Sequence, residues 1–154
     1  MNIEIDATAL RFIASTIRTG DPRLETGGAL FGPADGRRVL HAAGPGLLAQ
    51  HGTRSFHRDL DFTRREAERL YLADGSQWIG EWHTHVDASP TPSQMDLNTY
   101  VKHLCDRDLR FGRFVAVIVA TSGPEWVLAV WMLERQRLGI ALTQVGQQAL
   151  AQNG

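Results

Sequence analysis

The sequence has little cysteine, little excess charge and no long apolar run, and each shortage excludes a class of protein. Cys105 is the only cysteine, so an internal disulfide cannot form. No apolar stretch approaches the length of a membrane span, and the first residues have no signal-peptide pattern, so we expect a cytoplasmic protein without membrane partners. The formal charge of −1 offers no basic surplus, and we therefore expect no nucleic-acid partner.

Hydrophobic periodicity predicts one α/β domain over residues 1–154. An apolar content of 43% in 154 residues is enough for one buried core. Helix-like and strand-like apolar patterns follow one another along the chain, which favours a curved, mixed β-sheet flanked by helices. The predicted elements are a helix capped by Asp6, strands over residues 25–31 and 37–43, a helix opened by a capping box at residues 63–66, a strand ending at His85, a helix from Ser93, strands over residues 114–121, 126–133 and 138–145, and a frayed tail over residues 147–154.

Residues 78–85, Trp-Ile-Gly-Glu-Trp-His-Thr-His, are typical of a strand that ends in two histidines. Alternate side chains of a strand share a face, so His83 and His85 are expected to point the same way. After a loop rich in Pro and Ser, Asp96 falls in the first turn of the next predicted helix, where it can fold back as a third ligand. Two imidazoles and a carboxylate with an open fourth position suit a catalytic zinc, although manganese and iron stay possible.

Each of these residues also has a purely structural interpretation. An isolated His-x-His pair is a weak motif and is often chance on a polar strand face. Ser93-x-x-Asp96 is also a helix-start pattern, in which the serine caps the helix and the acid favours its positive end. The cap and ligand interpretations of Asp96 are compatible, because a carboxylate in the first turn is already oriented.

The spacing His83-x-His85, seven residues, Ser93-x-x-Asp96 resembles the metal motif of the JAMM family of zinc metalloproteases, also called the MPN or JAB-domain family. The family's other element, a glutamate just before a Gly-containing strand, is similar to residues 25–32, Glu-Thr-Gly-Gly-Ala-Leu-Phe-Gly. The resemblance covers about residues 5–135 and implies the family's cytidine-deaminase-like α/β fold. One departure is Val86, because the family usually has proline there; this change loosens the expected loop but removes no ligand.

The resemblance also implies a role for each motif residue. It implies one catalytic Zn²⁺ bound by His83, His85 and Asp96, with Glu25 as the general base and Ser93 as a donor to the oxyanion. Without the resemblance, Glu25 would more often be a solvated loop residue and Ser93 only a helix cap.

Active members of this family cut peptide or isopeptide bonds after the C-terminal glycine of ubiquitin or a ubiquitin-like protein. The Glu-Trp-His-Thr-His form is similar to bacterial JAB-domain proteins, some of which accompany activating and conjugating enzymes in antiphage operons. The resemblance thus implies a deconjugating or precursor-processing peptidase, with ubiquitin-like proteins, their conjugates and those enzymes as partners. Three alternatives stay open: a RadC-like DNA-associated protein, a peptidase for the C-terminal amino acid of a sulfur-carrier protein, and a non-catalytic scaffold.

Several residues around the motif carry expectations of their own. Alternation places Glu81 on the histidine face, where it either orients a histidine or is a surface carboxylate. Trp78 and Trp82 are expected on the opposite face, in the core. Residues 44–60 are expected to form a loop near the substrate, with one short strand as an option, and Cys105 is expected to be a small buried hydrophobe. The histidines without a ligand-spaced partner, which receive no role, are His41, His51, His57 and His103.

Overall fold

The structure is a computed structural model that describes residues 2–152. Within these residues the helices are α1 (Ala7–Thr19), α2 (Leu60–Asp74) and α3 (Gln94–Cys105). The strands are β1 (Glu4–Ile5), β2 (Gly27–Gly32), β3 (Arg38–Val39), β4 (His41–Ala42), β5 (Gln50–His51), β6 (Phe56–His57), β7 (Gln77–His85), β8 (Arg113–Ala120), β9 (Trp126–Gln136) and β10 (Gly139–Leu150). No helix in this part of the chain is long and apolar enough to cross a membrane.

A six-stranded sheet in the order β10-β9-β8-β7-β2-β4 forms the centre of the molecule. The pair β7–β8 is parallel and the other neighbours are antiparallel, so the predicted mixed α/β fold is confirmed. The strand β8 lies between β7 and β9, and residues 114–119 in it are buried without interruption. A continuous apolar run is what a strand covered on both faces requires.

The two faces of this sheet are covered by different helices. On one face α1 buries Ile13 and Ala14 against Leu30, Trp82 and Val117. On the other face α3 buries Tyr100 against Phe114 and Ala116, and α2 packs Leu70 nearby against Phe31. The candidate ligands lie on the α3 face, so their surroundings are set by α2, α3 and the segment that precedes α2.

The helix α2 begins earlier than the sequence pattern predicted. Asp59 is the N-cap and accepts a hydrogen bond from the backbone N–H of Phe62 at 3.1 Å. Thr63 is buried inside the helix, where its hydroxyl donates to the carbonyl of Asp59 at 3.0 Å. The predicted capping box at residues 63–66 is therefore wrong, because an aspartate four residues upstream already satisfies the first turn.

Three other boundaries also differ from the prediction. The strand expected over residues 37–43 is divided, because β3 pairs with β1 whereas β4 pairs with β2. The last strand extends to Leu150, so residues 147–150 are not frayed; residues 153–154 lie outside the described part of the chain. Asp6 occupies the N-cap position of α1, but its side chain caps nothing and instead pairs with Arg38 at 2.8 Å.

Candidate metal centre

Two histidines at the end of β7 bring their Nε2 atoms together. His83 and His85 are both buried and lie on the same face of the strand, as predicted from alternation. Their Nε2 atoms are 3.2 Å apart, and their ring centroids are 5.0 Å apart. Because β7 is hydrogen-bonded to β2 on one side and to β8 on the other, the backbone that carries both rings is held firmly.

Asp96 completes a three-residue cluster from the first turn of α3. Its Oδ1 lies 3.3 Å from the Nε2 of His83, and its Oδ2 lies 3.0 Å from the Nε2 of His85. The same carboxylate closes a capping box, since the N–H of Ser93 donates to it while its own N–H donates to the Ser93 hydroxyl at 3.0 Å. Asp96 is therefore both a cap and a candidate ligand, which is the combined interpretation that the sequence favoured.

The second ring nitrogen of each histidine faces a protein oxygen. The Nδ1 of His85 lies 2.8 Å from the carbonyl of Ser89 and donates to it, which leaves Nε2 as the nitrogen that faces Asp96. The Nδ1 of His83 lies 3.4 Å from the hydroxyl of the fully buried Tyr100. Metal-binding histidines are oriented by such contacts at their other nitrogen.

The loop after β7 is tied down despite Val86. The indole N–H of Trp131 donates to the carbonyl of Pro90 at 2.9 Å, and the N–H of Thr121 donates to the carbonyl of His85 at 3.1 Å. Together with the contact between His85 and Ser89, these bonds hold both ends of the loop to the sheet.

Burial and charge act in opposite directions on the acidic groups of this cluster. Burial by itself raises the pKa of Asp96, but the hydrogen bonds from His83 and His85 hold that pKa well below its usual range. Burial raises the pKa of Glu25 in spite of the attraction of the two imidazoles. Burial would lower the pKa of His85, yet its hydrogen bond to Asp96 leaves that pKa raised. The cluster is thus a polar, mostly buried site in which a positive charge stabilises the ionised carboxylates.

Glu25 lies immediately before β2 and is buried beside this cluster. The backbones join next to it, because the N–H of Thr26 donates to the Thr84 hydroxyl at 2.9 Å and the N–H of Thr84 donates to the Thr26 carbonyl at 2.9 Å. A cavity of about 260 Å³ is lined by Glu25, His85 and Ser93. The structure therefore brings the predicted base and the predicted hydroxyl donor to one cavity with a candidate ligand.

A close approach of β2 to β7 explains the glycine at residue 27. A Cβ added to Gly27 would lie 2.2 Å from the carbonyl oxygen of Trp82 and 2.8 Å from the Cβ of His83. Since backbone and a ligand-bearing residue occupy this space, a side chain here would push Glu25 away from the histidines.

The sequence missed the role of His51. Its Nδ1 donates to the carbonyl of Glu25 at 2.9 Å, and the N–H of Glu25 donates to the carbonyl of Gly52 at 2.7 Å. The hairpin β5–β6 thus holds the backbone of the candidate base. The contact joins residues 26 positions apart, so no local spacing could reveal it.

A second buried cluster follows the first along the same face of β7. Glu81 is buried as an ion pair with Arg58, and the Arg58 guanidinium carbon lies 5.0 Å from the ring centroid of Trp78. The prediction that Trp78 and Trp82 share the opposite face is correct for Trp82 and wrong for Trp78. In the pairing of β2 with β7, Leu30 is opposite Gly80 and Phe31 is opposite Trp78. Ile79 therefore has no partner in β2 and forms a β-bulge, which places Trp78 on the same face of β7 as Glu81.

Two other side chains differ from their predicted surroundings. Cys105 is exposed rather than buried, because it is the last residue of α3 and its neighbour Leu104 supplies the buried position. His103, which received no role, lies 3.0 Å from Arg58 through its Nε2. The Nε2 of His41 lies 2.7 Å from the Asp74 carboxylate, and His57 is exposed in β6.

The donor set fits a zinc ion on chemical grounds. Among residues 2–152, His83, His85 and Asp96 are the group of histidine, cysteine and acidic side chains that could together bind a metal, with their ligand atoms within 4.8 Å of one another. Two imidazole nitrogens and one carboxylate oxygen, open to a cavity, match the three protein ligands typical of catalytic zinc.

Comparison with known proteins identifies the class to which this arrangement belongs. The family model for prokaryotic homologues of the JAB domain matches residues 9–134. The chain therefore belongs to the prokaryotic JAB-domain family. A search of the curated proteins returns no match.

A solved structure supports the fold independently of the family match. The chain is similar to the solution structure of protein DSY2949 from Desulfitobacterium hafniense, with a TM-score of 0.64 and 19% sequence identity. The similarity covers 92% of this chain and 89% of that one. At this identity the similarity defines the fold.

Proposed function

We propose that this JAB-domain protein is a zinc-dependent peptidase or isopeptidase that cleaves after the C-terminal glycine of a ubiquitin-like protein. The observation that carries the proposal is the convergence of His83, His85 and Asp96 beside a buried Glu25. A non-catalytic scaffold would not need the buried carboxylate of Glu25 beside a polar cluster that is suited to bind a cation. The match to the family of prokaryotic JAB-domain homologues supports the same reaction class.

The chain's own side chains supply the remaining chemistry. A zinc ion bound by His83, His85 and Asp96 would polarise the scissile carbonyl and acidify the attacking water. Glu25, whose pKa is raised by burial, takes the proton of the water and returns it to the leaving amine.

Ser93 is suited to donate to the oxygen that becomes negative. Its hydroxyl oxygen already accepts the N–H of Asp96 at 3.0 Å, which leaves the hydroxyl proton free to point into the cavity. A neutral donor placed beside the metal stabilises the developing oxyanion without itself acting as a nucleophile.

A glycine-ended tail suits the cavity at Glu25. The cavity has a volume of about 260 Å³, and Thr53 and Arg54 of the β5–β6 hairpin and Asp87 and Ala88 of the loop after β7 also line it. A tail that ends in glycines needs little room for side chains, and an extended tail can pair with exposed backbone. Ubiquitin-like proteins and their conjugates are the proposed substrates, and the enzymes that activate and conjugate them are the proposed further partners.

Cleavage of a defined substrate tests the proposal. Zinc-loaded protein should release the fusion partner from a ubiquitin-like domain joined through its terminal Gly-Gly. Glu25→Gln should keep zinc and lose about 10²–10⁴-fold in kcat, the usual contribution of a general base. The matched control is Glu68→Gln, which removes an exposed carboxylate on α2.

Parallel substrates separate the alternatives. Cleavage confined to a sulfur-carrier protein extended by one amino acid would move the assignment to that substrate. Binding to DNA without any peptide cleavage would favour the RadC-like alternative. Stoichiometric zinc with no cleavage of any of these tails would contradict the proposed peptidase.

A further inference from the structure

Arg58 is a buried cation at the junction between the β5–β6 hairpin and α2. Its side chain is 5% exposed, and its Nη1 donates to the Glu81 carboxylate. Its Nη2 donates to the Nε2 of His103 at 3.0 Å, and the guanidinium lies over the ring of Trp78. One planar group therefore contacts two elements that lie far from it in the sequence.

Both elements carry candidate metal ligands. Glu81 precedes His83 by two residues on the same face of β7. His103 follows Asp96 by seven residues in α3, which is about two helical turns and places both on one side of the helix. His103 is fixed as an acceptor, because its Nδ1 donates to the carbonyl of Thr99 at 2.8 Å. Arg58 thus joins α3 to β7 on the side that carries the candidate ligands.

The third element that depends on Arg58 is the hairpin. No residue from 50 to 57 is buried, whereas the side chain of Arg58, directly after β6, is 5% exposed and pairs with Glu81. The hairpin in turn holds the backbone of Glu25, through the carbonyl of Gly52 and the Nδ1 of His51. A change at Arg58 is therefore transmitted to the candidate base.

This cluster contributes more to the relative positions of the elements that it joins than to the stability of the fold. A buried ion pair is often replaceable by apolar residues of similar volume without loss of stability. Here the Nε of Arg58 has no hydrogen-bond partner among residues 2–152, which weakens any energetic advantage of the pair. An apolar pair, however, has no planar set of N–H donors that could bind Glu81 and His103 at the same time.

We propose that Arg58 is a positioning residue, which clamps the β5–β6 hairpin and α3 onto β7 and so sets Glu25 against His83 and Asp96. It contacts no reacting atom, and it acts through the segments that it joins. Only the activity measurement below rests on the proposed peptidase function.

Amide hydrogen exchange on the full chain without metal tests this role independently of catalysis. Arg58→Met should speed exchange of the Glu25 amide and the hairpin amides by about tenfold or more, since their anchor is lost. The double variant Arg58→Met/Glu81→Met should recover the thermal midpoint but not the protection of these amides. The matched control is Arg69→Met, which removes an exposed cation paired with Glu66 on α2.

The outcomes separate positioning from simple stabilisation. If the double variant recovers both the midpoint and the protection, Arg58 acts only as core packing and the proposal is overturned. The proposal also fails if Arg58→Met matches Arg69→Met in exchange. Arg58→Lys keeps the positive charge, so Glu81 is not left without a counter-charge. This variant therefore tests the role of Arg58 even if Arg58→Met does not fold. It should still speed exchange of the hairpin amides by about threefold.

Kinetics supply the second measurement. With zinc bound to the same stoichiometry, the double variant should lose about tenfold or more in kcat, while KM changes by less than about twofold, because substrate binding is kept and the base is displaced. Wild-type protein that cleaves nothing would contradict the peptidase but leave the exchange result to decide the role of Arg58. Unchanged kcat in the double variant would overturn the positioning role.

Discussion

Two acidic clusters lie along one face of β7, and they balance their negative charge in opposite ways. Glu81 is neutralised by the chain's own cation, Arg58. Besides the N–H of Ser93, the Asp96 carboxylate contacts the imidazoles of His83 and His85, and no lysine or arginine among residues 2–152 forms an ion pair with it. A mostly buried carboxylate between two imidazoles, with no lysine or arginine beside it, is suited to a cation from outside the chain. The comparison separates a cluster whose charge is balanced within the chain from one that we propose binds an ion.

The largest expected effect comes from removing the acid of each cluster in turn. Glu81→Ala leaves the Arg58 guanidinium buried without a counter-charge, and should lower the free energy of unfolding by about 3–5 kcal/mol. Asp96→Ala should cost about 1 kcal/mol, because the Ser93 N–H loses its acceptor in the capping box, and should abolish zinc binding. Urea denaturation of both metal-free variants, with zinc titration, measures the two effects. If the two changes lower the free energy of unfolding equally, the claimed difference between the two clusters is contradicted.

A smaller effect is expected at Ser93, which separates capping from catalysis at the edge of the metal cluster. Ser93→Ala should lower stability by about 1 kcal/mol, because the first turn of α3 loses its acceptor. It should also reduce kcat by about 10²-fold, because a donor to the oxyanion is lost. Ser93→Thr keeps the hydroxyl and is the matched control. A stability loss with unchanged kcat would restrict Ser93 to the cap.

The smallest expected effect lies outside both clusters, at Asp74. Hydrogen bonds from Ser76 and His41 lower the pKa of Asp74 from 3.8 to about 2. A carboxylate with a lowered pKa stabilises the fold at neutral pH, and this contribution is lost as the pH falls through about 4 towards 2. Asp74→Asn should therefore melt slightly below wild type at neutral pH, with the gap closing near pH 2. Asp108→Asn, at an exposed position, is the control; a gap that persists in acid would exclude the charge as its cause.

The sequence predicted that His83, His85 and Asp96 lie together because the signals for this are local, whereas their assignment to a metal also rested on the family resemblance. His83 and His85 need only strand alternation, and Asp96 needs only a helix start eleven residues later. The mixed sheet was likewise predicted from apolar runs such as β8. These features depend on short-range periodicity, which a single sequence displays directly.

The supporting cluster could not be predicted in the same way. Arg58 meets Glu81 across 23 residues and His103 across 45, so the contacts exist only after the sheet and α3 have packed. The orientation of Trp78 depends on a bulge at Ile79 that is set by pairing with β2. The start of α2 depended on which of two capping residues, Asp59 or Thr63, the tertiary structure would use.

X-ray absorption at the zinc edge tests most directly the central claim that His83, His85 and Asp96 bind a catalytic metal. The full chain, purified without chelator and reconstituted with zinc, is measured beside His85→Ala. We expect one zinc per wild-type chain, with two nitrogen ligands and oxygen ligands at about 2.0–2.2 Å. His85→Ala should lose that ion or bind it with one nitrogen fewer. A wild-type chain that binds no zinc, or an unchanged ligand set in His85→Ala, would contradict the account.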